Sequence, residues 1–360
     1  MLPKFIQAKL SDSPPATRRA RHTLQDPQGP GMVESIFWFL GTWGLHLLGV
    51  GLTVGVFVAI FSSSGLAWND LIVLEFLAAH QMTLLAGEQF VFVTLVLIAA
   101  WFRLRGNLGH RLSSRPLPFQ HVFLLTCLVI PLSTFSTALH QWGMRGWNSL
   151  LENVPGLRAM DTMQSMDLLQ ELSSTTPLWT LLLVFAIAPA LGEEIIFRGV
   201  IGRGLIRRWG LVGGILLTSF LFAIAHMHPV HALAVFPIGI VLHYVYITTR
   251  SFWAPLYLHF CNNTFSIMKS THTIPSAENW NFTAALTITL CLILFLSFLW
   301  ITRVRYVQHD GKEWTPPRPS LELPIEIPVT LTFSSLPWRL TVGGLVPLIG
   351  FLAATAAHAQ

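Results

Sequence analysis

In this chain of 360 residues, 52% of side chains are hydrophobic and only 11% are charged, with a mean hydropathy of +0.58. A soluble globular domain carries about 25% charged residues, so the composition excludes that class and implies an all-α bundle of helices crossing a bilayer several times. The net charge of +5 does not imply a nucleic-acid partner, because the basic residues gather in short loops between apolar runs, where they set orientation.

Residues 1–35 hold Pro, Ser, Gln and Arg in no period and read as a disordered cytoplasmic tail. Apolar spans are predicted at about 36–61, 84–102 and 119–138. The stretch just before the second, with Glu75 and His80, is read as lying along the interface. A polar loop follows at 139–176. Leu157, Met160, Leu168, Leu169 and Leu172 could line one side of an interfacial helix within it. Further spans are predicted at about 177–200, 211–227, 231–247, 252–268 and 281–301. A linker rich in proline follows, including Pro316, Pro317, Pro319, Pro324 and Pro328. A last candidate span at about 338–357 makes the count eight to nine. Cys127, Cys261 and Cys291 lie in apolar stretches with no CxxC and read as small buried hydrophobes.

The units expected are the tail at 1–35, transmembrane helices and the polar loop at 36–174, and a core at 175–270. A further helix occupies 271–305, and the linker with the candidate last helix occupies 306–360. With the N-terminus in the cytoplasm and nine alternating spans, 19 of the 22 Lys and Arg fall on the cytoplasmic side. Only Arg145, Arg158 and Lys269 lie opposite, a bias that supports the orientation.

Three polar pairs interrupt these spans. Ionisable groups at such depth are costly and mark function by default. Glu194 and Arg198 are four residues apart with the acid first, the favoured order for an ion pair on a helix. Glu193 points about 100° away and has no such partner, which suits a general base. Alternatively, both glutamates merely pair with Arg198 and Arg203. Phe222 and His226 share a face one turn apart, and so do His259 and Asn263. Two donors converging in this way are what an oxyanion hole needs, although Asn also serves as interhelical glue. His228, His231 and His243 read as structural.

EEIIFR, FAIAH and HFCNN resemble the EExxxR, FxxxH and HxxxN motifs of the CPBP family, which includes the CAAX prenyl endopeptidases and the bacterial Abi proteins. The resemblance covers roughly 175–270. It implies a membrane protein of the bacterial plasma membrane that hydrolyses membrane-anchored peptides or proteins. Glu193 and His226 would activate water, His259 and Asn263 would hold the oxyanion, and Glu194, Arg198 and Phe222 would support them. No cofactor is expected. As an alternative, Glu193, His226 and His259 form a two-His, one-carboxylate set for Zn²⁺, though no HExxH is present. A transporter or proton pathway, or a scaffold, would also retain buried Glu and His.

One conflict stands. Glu193 would lie about 24 Å from the outer end of a helix starting at 177, and His226 about 22 Å from the inner end of one starting at 211. These depths meet only if the first helix starts near 183 and continues past Arg198 towards Arg203.

Overall fold

The computed structural model of the chain describes residues 29–64, 69–105, 108–117, 119–158, 169, 171–271, 273, 282–307, 311–314 and 330–332. Residues 1–28 of the tail expected at 1–35, Met160, Leu168, the Pro-rich stretch and the candidate span at 338–357 lie outside them, while Met32–Ser35 of that tail are helical.

The described residues form an all-α bundle with one small sheet. Helix α1 (Met32–Ser63) starts four residues ahead of the predicted span. The span predicted at 84–102 and the stretch before it form two helices that meet at His80, α2 (Asp70–Ala79) and α3 (Gln81–Leu104). Asn69 starts α2 by accepting a hydrogen bond from Leu71 N at 2.8 Å. A short α4 (Leu108–Arg111) leads to α5 (Phe119–Asn153). Helix α5 runs fifteen residues beyond its predicted end, into the expected polar loop. Its extension is held by Trp147 and Leu151, which pack on Val230. Gly143 gives the room, since a side chain there would meet Val230. Leu169 and Leu172, expected on an interfacial helix, are buried against Leu181, Ala186 and Ile267.

The next rod alternates α- and π-helical turns: α6 (Leu178–Leu182), a π segment at Leu183–Ile187, α7 (Ala188–Glu194), a π segment at Ile195–Gly202, then α8 (Arg203–Ile224). Gly210 breaks α8 with φ 76° and ψ 176°, a conformation that favours glycine. Beyond it the chain folds back, and Gly214 lies against the Ile206 backbone, where a Cβ would not fit. The fold-back resolves the conflict in depth. The first arm continues past Arg198 as far as Trp209, so Glu193 and His226 each lie about 25 Å from the Gly210 turn, one on each arm.

Helices α9 (Pro229–Thr249), α10 (Trp253–Ser270) and α11 (Phe282–Ile301) complete the bundle. Helix α5 packs on α9, α10 and α11, while α3 packs on α1 and α7. The rod and α10 therefore lie between two helical walls. Buried side chains form one cluster around Phe92, Ile196, Phe197 and Phe222, and another around Leu128, Leu242, Leu258 and Phe295. Strands β1 (Arg305–Val307) and β2 (Thr330–Thr332) pair antiparallel, an element that hydrophobic periodicity did not predict.

Among the described residues six helices are long and apolar enough to cross a membrane, with Leu178–Ile224 taken as one despite its break. Their exposed faces carry Leu47, Phe90, Leu183, Val212 and Ile293, as a lipid-facing surface would.

Candidate active site

The site is assembled from α7 and the π segment after it, the end of α8, the middle of α9 and the first half of α10. Its centre is the carboxylate of Glu194, fully buried with Arg198. Arg198 Nη1 donates to Glu194 Oε1 at 2.8 Å, and Nη2 donates to the Gly239 carbonyl at 3.1 Å. Gly239 makes that approach feasible: a Cβ there would lie 3.0 Å from Ser219 Cβ and 3.2 Å from Phe222 Cδ1.

Glu194 also holds His259. The distance from His259 Nδ1 to Glu194 Oε1 is 2.8 Å. A carboxylate only accepts, so Nδ1 carries the proton and Nε2 is turned towards chemistry. On that side Glu193 Oε2 lies 3.8 Å from His259 Nε2, too far for a hydrogen bond. The Glu193 side chain is 20% exposed, yet Oε2 is buried with no hydrogen-bond partner among the described residues. Glu194 Oε2 is likewise buried without a partner among the described residues, so the two adjacent glutamates differ in this: Glu194 is fully buried with two donors on its Oε1, and Glu193 is part-exposed with no donor among the described residues.

His226 sits where α8 ends. Its Nδ1 lies 3.0 Å from the Phe222 carbonyl, which can only accept, so Nε2 is again the outward nitrogen. The chain leaves through Met227 at φ 64°, a left-handed conformation uncommon for a residue with a Cβ. No ion pair within 4.0 Å joins His226 to Glu193 among the described residues. Phe222 stands between the two histidines, its ring centroid 5.2 Å from His226 and 5.7 Å from His259, nearly perpendicular to both. Arg198 covers the same ring at 4.4 Å. Phe222 therefore sets the spacing of the two imidazoles.

Asn263 lies one turn beyond His259 on α10, half-buried, with no side-chain hydrogen bond to the described residues. His231, read as structural, stacks at a tilt on His226 at 4.8 Å, with His140 6.4 Å beyond it. His243 is fully buried near Gly202.

Sequence reasoning did not foresee the Gly239 carbonyl, the bond from His259 to Glu194, or Phe92. Phe92 is fully buried in α3, stacks on His46 at 3.8 Å, and fills the space beside Gly192, where any Cβ would meet its ring. His46 in turn lies 2.6 Å from the Glu88 carboxylate. A glycine directly before two acids within a span was the available signal.

As placed, Glu193, His226 and His259 do not form a zinc set: among the described residues no three His, Cys, Asp or Glu gather closely enough for a metal ion. Two of the three do face one another, and the Phe222 ring stands between the two histidines.

Residues 175–265 match the family described as type II CAAX prenyl endopeptidase Rce1-like. This segment is similar to that family over about a quarter of the chain. The family read from EEIIFR, FAIAH and HFCNN is thereby borne out. A protein of Bacillus subtilis (strain 168) named "Putative membrane peptidase YdiL" is 28% identical over 134 residues, covering 37% of this chain. The chain spans about half the length, 52%, of that curated relative. No solved structure matches the chain. The matched segment contains Glu193, Glu194, Arg198, Phe222, His226, His259 and Asn263, whereas Phe92, His46 and Glu88 come from helices before it.

Proposed function

We propose that the protein is an intramembrane endopeptidase of the glutamic type, acting on membrane-anchored peptides or proteins. The observation that carries this reading is the division between the adjacent glutamates. Glu194 is fully buried and its Oε1 is held by both Arg198 and His259, while Glu193 is 20% exposed, makes no side-chain hydrogen bond to the described residues and turns Oε2 towards the outward nitrogen of His259.

In the proposed reaction Glu193 Oε2 takes a proton from a water molecule, and His226 Nε2 accepts that water's second hydrogen bond. The water oxygen attacks the carbonyl carbon of the scissile amide. Negative charge develops on the carbonyl oxygen, where the Asn263 amide and His259 Nε2 donate. Because Nδ1 already donates to Glu194, donation from Nε2 requires His259 to carry both protons. The Glu193 and Glu194 carboxylates lie beside that charge. Glu193 then passes its proton to the amide nitrogen, the C–N bond breaks, and a carboxylic acid and an amine leave. No step is routed through a metal.

The test is incubation of purified protein with a panel of membrane-anchored fluorogenic peptides. Glu193→Gln keeps the shape and removes the proton acceptor, so turnover should fall by a factor on the order of 10²–10⁴. Melting temperature in detergent should stay close to wild type, since Glu193 makes no side-chain hydrogen bond to the described residues and His259 Nε2, at 3.8 Å, is its nearest charge partner. Unchanged turnover in Glu193→Gln would remove it from the role of base.

A further inference from the structure

Glu193 and His226, the two groups proposed to share a water, are not tied to each other. Glu193 makes no side-chain hydrogen bond to the described residues, and His226 Nδ1 is taken up by the Phe222 carbonyl. Their spacing is therefore set by what holds the backbone beside each of them. Helix α1, which lies outside the matched segment 175–265, reaches both places from a single turn.

The first contact is at the end of α8. Trp43 Nε1 donates to the Ala225 carbonyl at 3.1 Å, across 182 residues of sequence and directly before His226. The last carbonyls of a helix have no partner within it, and the chain turns away here through left-handed Met227. The indole therefore pins the peptide that carries His226. The second contact runs through α3. About 4.5 Å further along α1, the His46 ring lies flat on Phe92, with centroids 3.8 Å apart and planes 15° from parallel. Phe92 in turn fills the place of a side chain at Gly192, directly before Glu193. The His46 ring is itself held: Nδ1 lies 2.6 Å from Glu88 Oε1, and Glu88 Oε2 accepts from Gln89 at 2.8 Å. Glu88 is 6% exposed, and an ionisable group at such depth marks function by default.

Packing of α1 on α3 requires neither contact. Close approach already provides it at Gly49, where a Cβ would lie 3.1 Å from the Glu88 carbonyl oxygen, and at Gly87, where one would lie 2.6 Å from Thr53 Cγ2. Close-packed helices of this kind transmit a displacement instead of absorbing it.

We propose that Trp43 and His46 are positioning residues that hold His226 and Glu193 at the spacing a shared water requires. The effect on turnover rests on the hydrolytic reading above, whereas the effect on the end of α8 does not.

The test measures turnover of membrane-anchored peptides by monodisperse full-length protein, with hydrogen exchange at 225–230 followed by mass spectrometry. Trp43→Phe keeps a ring and loses the donor. It should lower kcat roughly ten- to a hundred-fold with KM little changed, and exchange at 225–230 should quicken. His46→Ala should lower kcat similarly, and His46→Phe, which keeps a ring on Phe92, should recover most of it. Both residues set one distance, so the double variant Trp43→Phe/His46→Ala should lose no more kcat than the worse single variant, while its losses in melting temperature add. Trp38→Phe removes an indole bond to Glu34 on the same helix and should behave as wild type. Trp43→Phe and Trp38→Phe decide the matter by themselves if His46→Ala fails to fold. Losses of kcat that multiply in the double variant, or equal losses in Trp38→Phe and Trp43→Phe, would overturn the proposal in favour of a general weakening of α1. Unchanged exchange at 225–230 in Trp43→Phe would overturn it whatever the turnover. A wild type that cleaves none of the peptides, or a Glu193→Gln variant that cleaves them equally well, would sink the hydrolytic reading instead, and exchange then decides by itself whether α1 holds the end of α8.

Discussion

His259 Nδ1 and Glu194 Oε1 lie 2.8 Å apart across 65 residues of sequence, and the same oxygen accepts from Arg198 at 2.8 Å. Glu194 is thus shared between an arginine on its own helix and a histidine on another. Removing the carboxylate affects both. Glu194→Gln leaves Arg198 buried without its counter-charge and frees the His259 ring, at a cost of about 3–5 kcal/mol. Arg198→Gln should cost a similar amount, and the double variant Glu194→Gln/Arg198→Gln should recover part of it. Melting temperatures of the three variants in one detergent decide this. Strictly additive losses would show that the two groups do not act as a pair.

The contact between Gly192 and Phe92 fixes where the glutamates stand. Gly192→Ala forces the fully buried Phe92 ring to move, at a cost of about 1–3 kcal/mol for overpacking. Adding Phe92→Leu should return much of that stability, because the smaller side chain vacates the place of the new methyl. A double-mutant cycle on melting temperature, with turnover measured alongside, checks it. If Phe92→Leu merely adds its own loss, α3 does not position the Glu193 helix.

Turnover should persist after exhaustive chelation. The reason is chemical: Glu193 has an oxygen able to take the proton of water without a Lewis acid. Elemental analysis alongside the peptide assay checks this. Stoichiometric zinc whose removal abolishes activity, and whose return restores it, would support the zinc alternative.

Orientation can be read directly in intact cells. With the N-terminus cytoplasmic, a thiol reagent that does not cross membranes should label Arg158→Cys and miss Arg207→Cys. Arg158 is exposed beyond the end of α5, and Arg207 lies near the Gly210 turn. The reverse pattern would invert the topology.

The three polar pairs were legible because each lies within one helical turn. Glu194 meets Arg198, Phe222 meets His226, and His259 shares a face with Asn263, through the geometry of four residues alone. The apolar runs likewise announced most of the helices, since a bilayer demands length and hydrophobicity that composition displays directly. Other features had no local signature. The extension of α5 to Asn153 depends on packing against Val230. The continuation of the Glu193 helix to Gly210 depends on how two arms close on Gly214.

From its sequence, the chain had to be helical, bilayer-spanning and furnished with paired polar residues on individual helices. Only the tertiary structure decided which of those residues share a carboxylate, which ring separates the two histidines, and which glutamate is held by donors from two helices. The reason lies in rotation about helix axes. Each π segment changes the number of residues per turn, so the direction of a side chain after Ile195 cannot be extrapolated from an ideal helix. A bond such as His259 to Glu194 then depends on how two helices are turned towards each other, which no spacing within either one records.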